Sequence, residues 1–216
     1  MEPADLWPLF GIRVRTPRLE LRSVDPDLSL TIAALAAEGI HDPATMPFLF
    51  PWTDVESPEL ERNSLRHFWE QWASVRPESW ALSFAVVVDG EVHGLQGCRA
   101  ADFPTLRTAD TGSWLGRRFQ GRGTGKEMRA AILHLLFAGL GAEEATTGAF
   151  VDNERSLAVT RALGYEPNGT ETRLRRDRPG EILRFRMTRA SWEARRRDDI
   201  EIDGLDDGCL DLLGLS

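Results

Sequence analysis

The sequence predicts an α+β domain built on a mixed, mostly antiparallel sheet flanked by helices. Three observations predict it. Residues 82–88 and 91–99 are apolar, β-rich runs joined by Asp89-Gly90, a dipeptide suited to a two-residue hairpin turn. A glycine-rich segment, residues 120–126, stands between a strand pattern and a helix pattern. Two further strand patterns follow a second helix, and no linker divides them from the rest.

Taken in order, residues 19–23 alternate apolar and polar, as a short strand does. Asp25-Pro26-Asp27 turns into a helix over 28–38. Residues 41–54 carry Pro43, Pro47 and Pro51 among Phe48, Phe50 and Trp52, which excludes a long helix and predicts an irregular loop walling a substrate pocket. Ser57-Pro58-Glu59 marks a helix start, with Ser57 as the cap, Pro in the first turn and acids near the positive end of the dipole. That helix runs to about residue 74. After the hairpin comes a strand at 109–115, a helix at 126–140 with apolar Met128, Ile132, Leu135 and Leu136, and a strand at 144–151. Asp152-Asn153 opens a second helix ended by Gly164. Strands near 170–175 and 181–188 complete the sheet, and 191–197 form a last helical turn.

The 216 residues give one domain over 1–197 and an acidic tail over 198–216. The tail holds seven acids among Leu, Ile and Gly, and reads as a mobile end or a docking segment. A net charge of −8 disfavours non-specific contact with nucleic acid. Two cysteines and four scattered histidines supply neither a disulfide framework nor a metal site. The first residues lack the basic start and apolar run of a signal peptide, and no apolar stretch is long enough for a membrane span. The expectation is a cytoplasmic protein with no metal and no membrane contact.

The informative segment is Gln120-Gly-Arg-Gly-Thr-Gly-Lys126. The first amides of a helix have no internal partner, and the dipole is positive there. Glycines let an anion approach the backbone, so a phosphate or pyrophosphate is the natural ligand. A P-loop is excluded, because Gln120 stands where its first glycine belongs and Glu127 follows Lys126. A dinucleotide fingerprint is matched at Gly121 and Gly123 and fails at Lys126. The pattern that fits is Q-x-x-G-x-G, at Gln120, Gly123 and Gly125.

This resembles the pyrophosphate loop of the GNAT acyltransferases. Residues 112–123, Gly-Ser-Trp-Leu-Gly-Arg-Arg-Phe-Gln-Gly-Arg-Gly, look like that superfamily's fourth strand entering its loop. Asn153-Glu-Arg-Ser156 followed by Leu163-Gly164-Tyr165 is similar to its next helix. Thr16-Pro-Arg-Leu-Glu-Leu-Arg22 resembles the opening strand of the ribosomal-protein-alanine N-acetyltransferase branch. The resemblance spans residues 16–189. It implies a sheet splayed between two strands, with acyl-CoA (acetyl-CoA, or succinyl-CoA) as co-substrate and a primary amine of a small molecule or protein N-terminus as acceptor.

Carried over by matching position, Ser113, Trp114 and Leu115 offer backbone groups to the pantetheine arm and the thioester carbonyl. Gln120, Gly121 and the amides of Arg122, Gly123, Thr124, Gly125 and Lys126 hold the pyrophosphate. Asn153 bonds the pantetheine, and Ser156 sits near the thiol. An amide aimed at the thioester oxygen stabilises its developing negative charge. The amine must be neutral to attack, so a base is useful. Asp110 lies where related enzymes carry an acid, or it is a plain strand carboxylate. Ser156 protonates the leaving thiolate directly or through water, or it caps the helix with Asn153. Many members carry a Tyr seven residues after the Asn; here that residue is Thr160, and the only Tyr is Tyr165. An acyl-CoA-sensing module without turnover is the competing reading, and the tail is a candidate for pairing two copies. Trp69, Trp72 and Trp80 read as packing, His93 and His134 as core or surface, and Arg173, Arg175, Arg176 and Arg178 as a solvated strand edge.

Overall fold

The computed structural model describes residues 2–216. Two helical turns, α1 (Pro3–Leu6) and a 3-10 turn (Pro8–Gly11), lead into strands β1 (Arg13–Arg15) and β2 (Glu20–Ser23). Helices α2 (Pro26–Ala37) and α3 (Glu59–Ala73) bracket the proline-rich loop 41–54. Asp25 caps α2 by accepting from the Leu28 amide at 2.8 Å. Ser57 does not cap α3: its hydroxyl is taken up by the Glu61 carboxylate, and Pro58 occupies the cap position with no side-chain bond.

Strands β3 (Ser79–Val88) and β4 (Glu91–Ala101) form the expected hairpin, with Asp89 (φ 49°) and Gly90 (φ 82°) both left-handed as a type I′ turn requires. A short helix α4 (Phe103–Leu106) leads to β5 (Thr108–Leu115). Helix α5 (Thr124–His134) then continues as a π turn, Leu135–Gly139, before β6 (Glu144–Phe150). Helix α6 (Glu154–Ala162), the hairpin β7 (Glu166–Arg175) and β8 (Arg178–Thr188), and helix α7 (Arg189–Glu193) follow. The chain ends with β9 (Glu201–Asp203) and α8 (Asp207–Leu212).

One nine-stranded sheet runs in the order β7-β8-β6-β5-β4-β3-β2-β1-β9. Every pairing is antiparallel except β5 with β6. Helices cover both faces, and the alternation of β3 records it. Leu82, Phe84 and Val86 enter the main core with Ile132 of α5 and Leu136 of the π turn, while Ala85 and Val87 pack with Ile32 of α2 and Phe68 of α3. A strand buried on both faces reads as a continuous apolar run, which is how residues 82–88 read. Trp80 and Trp72 pack as expected, Trp80 edge-on to Phe103 and Trp72 against Phe68, whereas Trp69 is 56% exposed. Among the described residues no helix is long and apolar enough to cross a membrane.

The reading of residues 198–216 as a mobile end does not hold. Strand β9 pairs with β1 through Arg13↔Asp203, Val14↔Ile202 and Arg15↔Glu201, so two of its acids lie opposite arginines. Asp206 caps α8 by accepting from the Cys209 amide, and Ile200, Cys209 and Leu213 are buried in the main core. The apolar residues between the acids face the chain's own domain.

Candidate functional site

Strands β5 and β6 pair only over Thr108–Asp110 and Glu144–Thr146, and then part. At the point of divergence the Thr111 hydroxyl donates to the Thr146 carbonyl (3.1 Å), and the Thr147 hydroxyl donates to the Thr111 carbonyl (3.0 Å). The gap opens into a cleft of about 1100 Å³, lined by β4, β5, β6, the start of α5, α6 and the loop 41–54.

At its mouth lies the glycine loop. Gly121 (φ 78°) and Gly123 (φ 81°) are left-handed, a conformation that costs other residues about 1–2 kcal/mol. Gly123 caps α5 with no side chain, and the amides of residues 121–125 make no hydrogen bond among the described residues. Five consecutive unpaired donors at a helix N-terminus fit an anion such as a pyrophosphate. Lys126, the only lysine of the chain, lines the cleft beside them and forms no ion pair among the described residues.

The loop is braced from both sides. Thr16 donates to Glu127 Oε1 (2.7 Å), and Arg18 bonds Glu127 Oε2 (3.0 Å) and the Arg122 carbonyl (3.3 Å), so the Thr16-Pro-Arg-Leu segment anchors the first turn of α5. Gln120 is structural rather than open: its amide donates to the Ile40 (2.7 Å) and Leu115 (2.9 Å) carbonyls, and its oxygen accepts from Arg155 (2.6 Å).

Asp110, Ser113, Trp114, Leu115, Gln120 and Lys126 all line the cleft, as do the three loop glycines with Asn153 and Ser156. Arg122 and Thr124 do not; the Arg122 side chain turns back to the Arg118 carbonyl and Thr124 is buried. Asn153, not Ser156, caps α6, accepting from the Ser156 amide at 3.2 Å, and the Ser156 hydroxyl has no hydrogen-bond partner among the described residues. Asp110 Oδ2 accepts from Arg184 (2.7 Å) and Thr146 (3.1 Å), while Oδ1 faces only Arg99 at 4.0 Å. Tyr165 lies outside the cleft, and burial pushes its phenol up, opposed by the nearby Arg129 charge. Thr160 is buried and bonded to the Ser156 carbonyl.

Cleft residues that had no motif to announce them include His67, Arg129 and Arg184. His41, Phe48, Trp52 and Trp114 form an aromatic ladder with centroid spacings of 5.5, 5.2 and 6.0 Å, which seats the loop 41–54 against β5 as a pocket wall. His67 of α3 faces the cleft; its edge is exposed, yet desolvation on the cleft side lowers its pKa from the ordinary histidine value, which favours the neutral ring.

Of the arginines at the β7–β8 turn, Arg173 and Arg178 are exposed, as on a solvated edge, but Arg175 and Arg176 are not. Arg175 grips both Asp152 oxygens (2.9 and 2.8 Å) and the Met46 carbonyl (2.7 Å). Arg176 grips both Asp54 oxygens at 2.7 Å and the Pro43 carbonyl at 2.9 Å. Together they strap the loop 41–54 to the far side of the cleft. The guanidinium groups hold the Asp54 and Asp152 carboxyls below the usual range. A carboxyl depressed on folding contributes above its unfolded pKa, near ~4, and loses that contribution as pH falls through the lower folded value. Protection against hydrogen exchange in the loop, corrected for the intrinsic rate at each pH, is therefore expected to hold constant from neutral to mildly acidic pH and to fall only below about pH 4. Arg176→Gln should raise exchange there at pH 7 and raise the acceptor KM about threefold to tenfold, a modest effect because the pair is partly exposed. An equal weakening of affinity at the glycine loop would contradict a role confined to the strap.

Residues 18–166 match the model of an acetyltransferase (GNAT) domain. Among solved structures, the chain is similar to a GCN5-related N-acetyltransferase from Brucella melitensis, with 18% identity and a TM-score of 0.66, covering 84% of this chain and 80% of that one. It is similar to RimL, a ribosomal-protein alpha-N-acetyltransferase, at 18% identity and a TM-score of 0.63, covering 81% of this chain and 94% of that one. A RimL structure in complex with coenzyme A matches at 19% identity and a TM-score of 0.61, over 82% of this chain and 97% of that one. At these identities the structures share the fold.

Proposed function

The chain belongs to the GNAT acetyltransferase family, and from that premise we propose that it is an N-acyltransferase moving a short acyl group, acetyl or succinyl, from acyl-CoA to a primary amine. The acceptor is a small molecule or a protein N-terminus, and transfer is direct within a ternary complex. The observation that carries this reading is the run of five unpaired amides at the start of α5, opening onto the gap between β5 and β6. Such a cradle suits a coenzyme diphosphate, and the gap beside it suits a narrow pantetheine arm.

The bound thioester supplies an activated acyl carbon. The backbone of Ser113, Trp114 and Leu115, on the strand that leaves its partner, offers amides to the carbonyl oxygen. Asp110 Oδ1, free of hydrogen bonds, receives the proton of the incoming amine, while Arg184 fixes the carboxylate through Oδ2. Asn153 contacts the pantetheine arm, and the unpartnered Ser156 hydroxyl donates to the departing sulfur, directly or through water. Holding both reactants in line supplies much of the acceleration.

The test is thiol release from acetyl-CoA and succinyl-CoA with a panel of amines and peptide N-termini. Tight coenzyme binding without thiol release for any amine would replace the enzyme with a sensing module. Ser156→Ala is expected to lower kcat about tenfold, the loss of one hydrogen bond to a charged group, at constant CoA affinity. An unchanged rate would remove Ser156 from the mechanism.

A further inference from the structure

Arg129 is a cation buried without an anion. It is 4% exposed, yet its guanidinium enters no ion pair among the described residues. Its two hydrogen bonds go to neutral hydroxyls: Thr147 on β6 at 3.2 Å and Ser113 on β5 at 3.1 Å. Its Nε has no partner at all. A buried charge without compensation is costly, and such groups are ordinarily paired. The two hydroxyls sit on the two strands just past the point where they part, so Arg129 spans the fork and forms part of the cleft floor.

The charged groups around it do not supply the anion. Asp110, three residues before Ser113 on β5, is engaged by Arg184 and faced by Arg99, and burial raises the pKa of the Tyr165 phenol beside Arg129, which keeps it uncharged. Glu127, two residues earlier on α5, is held by Thr16 and Arg18. Lys126 lies at the mouth, and His67 across the cleft favours its neutral ring. The compensating charge has to arrive with the reactants.

We propose that it is the sulfur of the departing coenzyme, and that Arg129 stabilises the thiolate formed as the acyl group leaves. The amine lone pair forms the C–N bond, the C–S electron pair goes to sulfur, and the surplus proton of the amine goes to Asp110 or to water. The guanidinium neither gives nor takes a proton; it acts through its charge. This rests on the acyl-CoA reading above. It accounts for a cleft whose expected phenol is replaced by Thr160 and whose single tyrosine lies beside Arg129 but outside the cleft lining. A leaving group held as an anion needs no strong proton donor, and the Ser156 hydroxyl then serves as a hydrogen-bond donor only.

The test compares free CoA with desulfo-CoA by calorimetry from about pH 6 to 9, around the ordinary thiol pKa near 8.5. A thiol whose pKa is lowered in the complex makes binding tighten as pH rises through the bound value, levelling at the free value. The affinity ratio of CoA to desulfo-CoA for the unaltered protein should rise at least about tenfold, one pKa unit, over that window. Ultraviolet titration of the complex should show the thiolate at correspondingly lower pH. The protein's own thiols stay silent, since burial pushes Cys98 up to about 12 and Cys209 to about 11. Arg129→Met should flatten the ratio while desulfo-CoA binding persists, and Arg129→Lys should keep part of it. A flat ratio in the unaltered protein overturns the proposal, and this arm needs no variant to fold. An advantage for succinyl-CoA over acetyl-CoA that Arg129→Met abolishes, with the thiol unshifted, assigns the anion to the acyl chain and also overturns it. Failure of both CoA and desulfo-CoA to bind would instead overturn the acyl-CoA reading itself.

Discussion

Removal of residues 198–216 is expected to cost about 4 kcal/mol or more, a Tm loss of roughly 10 °C or outright insolubility. The segment closes the sheet edge at β1 and buries Ile200, Cys209 and Leu213, each less than a tenth exposed. Ile202 and Leu205 lie over Gly139 in the π turn, where an added Cβ would come within 3.1 and 2.9 Å of them. Deletion therefore uncovers apolar surface on β1, on the π turn and around Leu9, against a net stability of only about 5–15 kcal/mol for a typical domain. A single substitution should reproduce much of the loss. Gly204 has φ 68°, and a Cβ there would stand 2.1 Å from the Gly11 carbonyl oxygen, a contact with backbone that no side-chain motion relieves. Thermal melts of the truncation and of Gly204→Ala decide the matter; melts matching the full chain would return the tail to the status of a mobile end.

That tail shows why part of the fold was hidden in the sequence. Seven acids over nineteen positions look like a solvated end when composition alone is weighed. What fixes them is a three-residue strand opposite Arg13 and Arg15, and β1 itself is too short and too polar for its alternation to register. By contrast, the β3–β4 hairpin was legible because its turn residues and its apolar run are both local signals. Strand β7 shows the opposite case. It begins at Glu166, ahead of the expected strand near 170, because the chain carries Pro167-Asn168-Gly169 through a register shift on an edge strand, where a missing N–H and a left-handed glycine are tolerated.

The site divides the same way. The glycine loop, Asn153 and Ser156 were legible because they sit in short contiguous patterns, and the structure brings them to one cleft. The Arg176–Asp54 strap was not, because its partners are 122 residues apart. Arg129 did leave a trace. It shares a helical stripe with Ile132, Leu133 and Leu136, at the spacing of a buried face, and an arginine in that register asks for a partner. What pattern does not reveal is whether the partner belongs to the chain.

Gly125→Glu is expected to separate stability from binding, with effects of opposite sign. Gly125 is the second residue of α5, its φ is not left-handed, and an added Cβ would meet only Val159 Cγ2 at 3.7 Å, an ordinary contact. Glutamate there replaces a poor helix former and places a negative charge at the positive end of the dipole, each worth a few tenths to about 1 kcal/mol. The Tm should stay level or rise by about 1–3 °C. The same carboxylate occupies the space over the unpaired amides, so it competes with any anion they hold. Affinity for CoA should fall at least about 100-fold, near 2.7 kcal/mol. Gly125→Gln separates bulk from charge: it should bind more tightly than Gly125→Glu, by a margin that shrinks as salt is added. Calorimetry with desulfo-CoA, which keeps the diphosphate, reads this without any chemistry. A glutamate variant that binds like the unaltered protein at low salt would remove the diphosphate from the start of α5, and with it the basis for placing the pantetheine arm between β5 and β6.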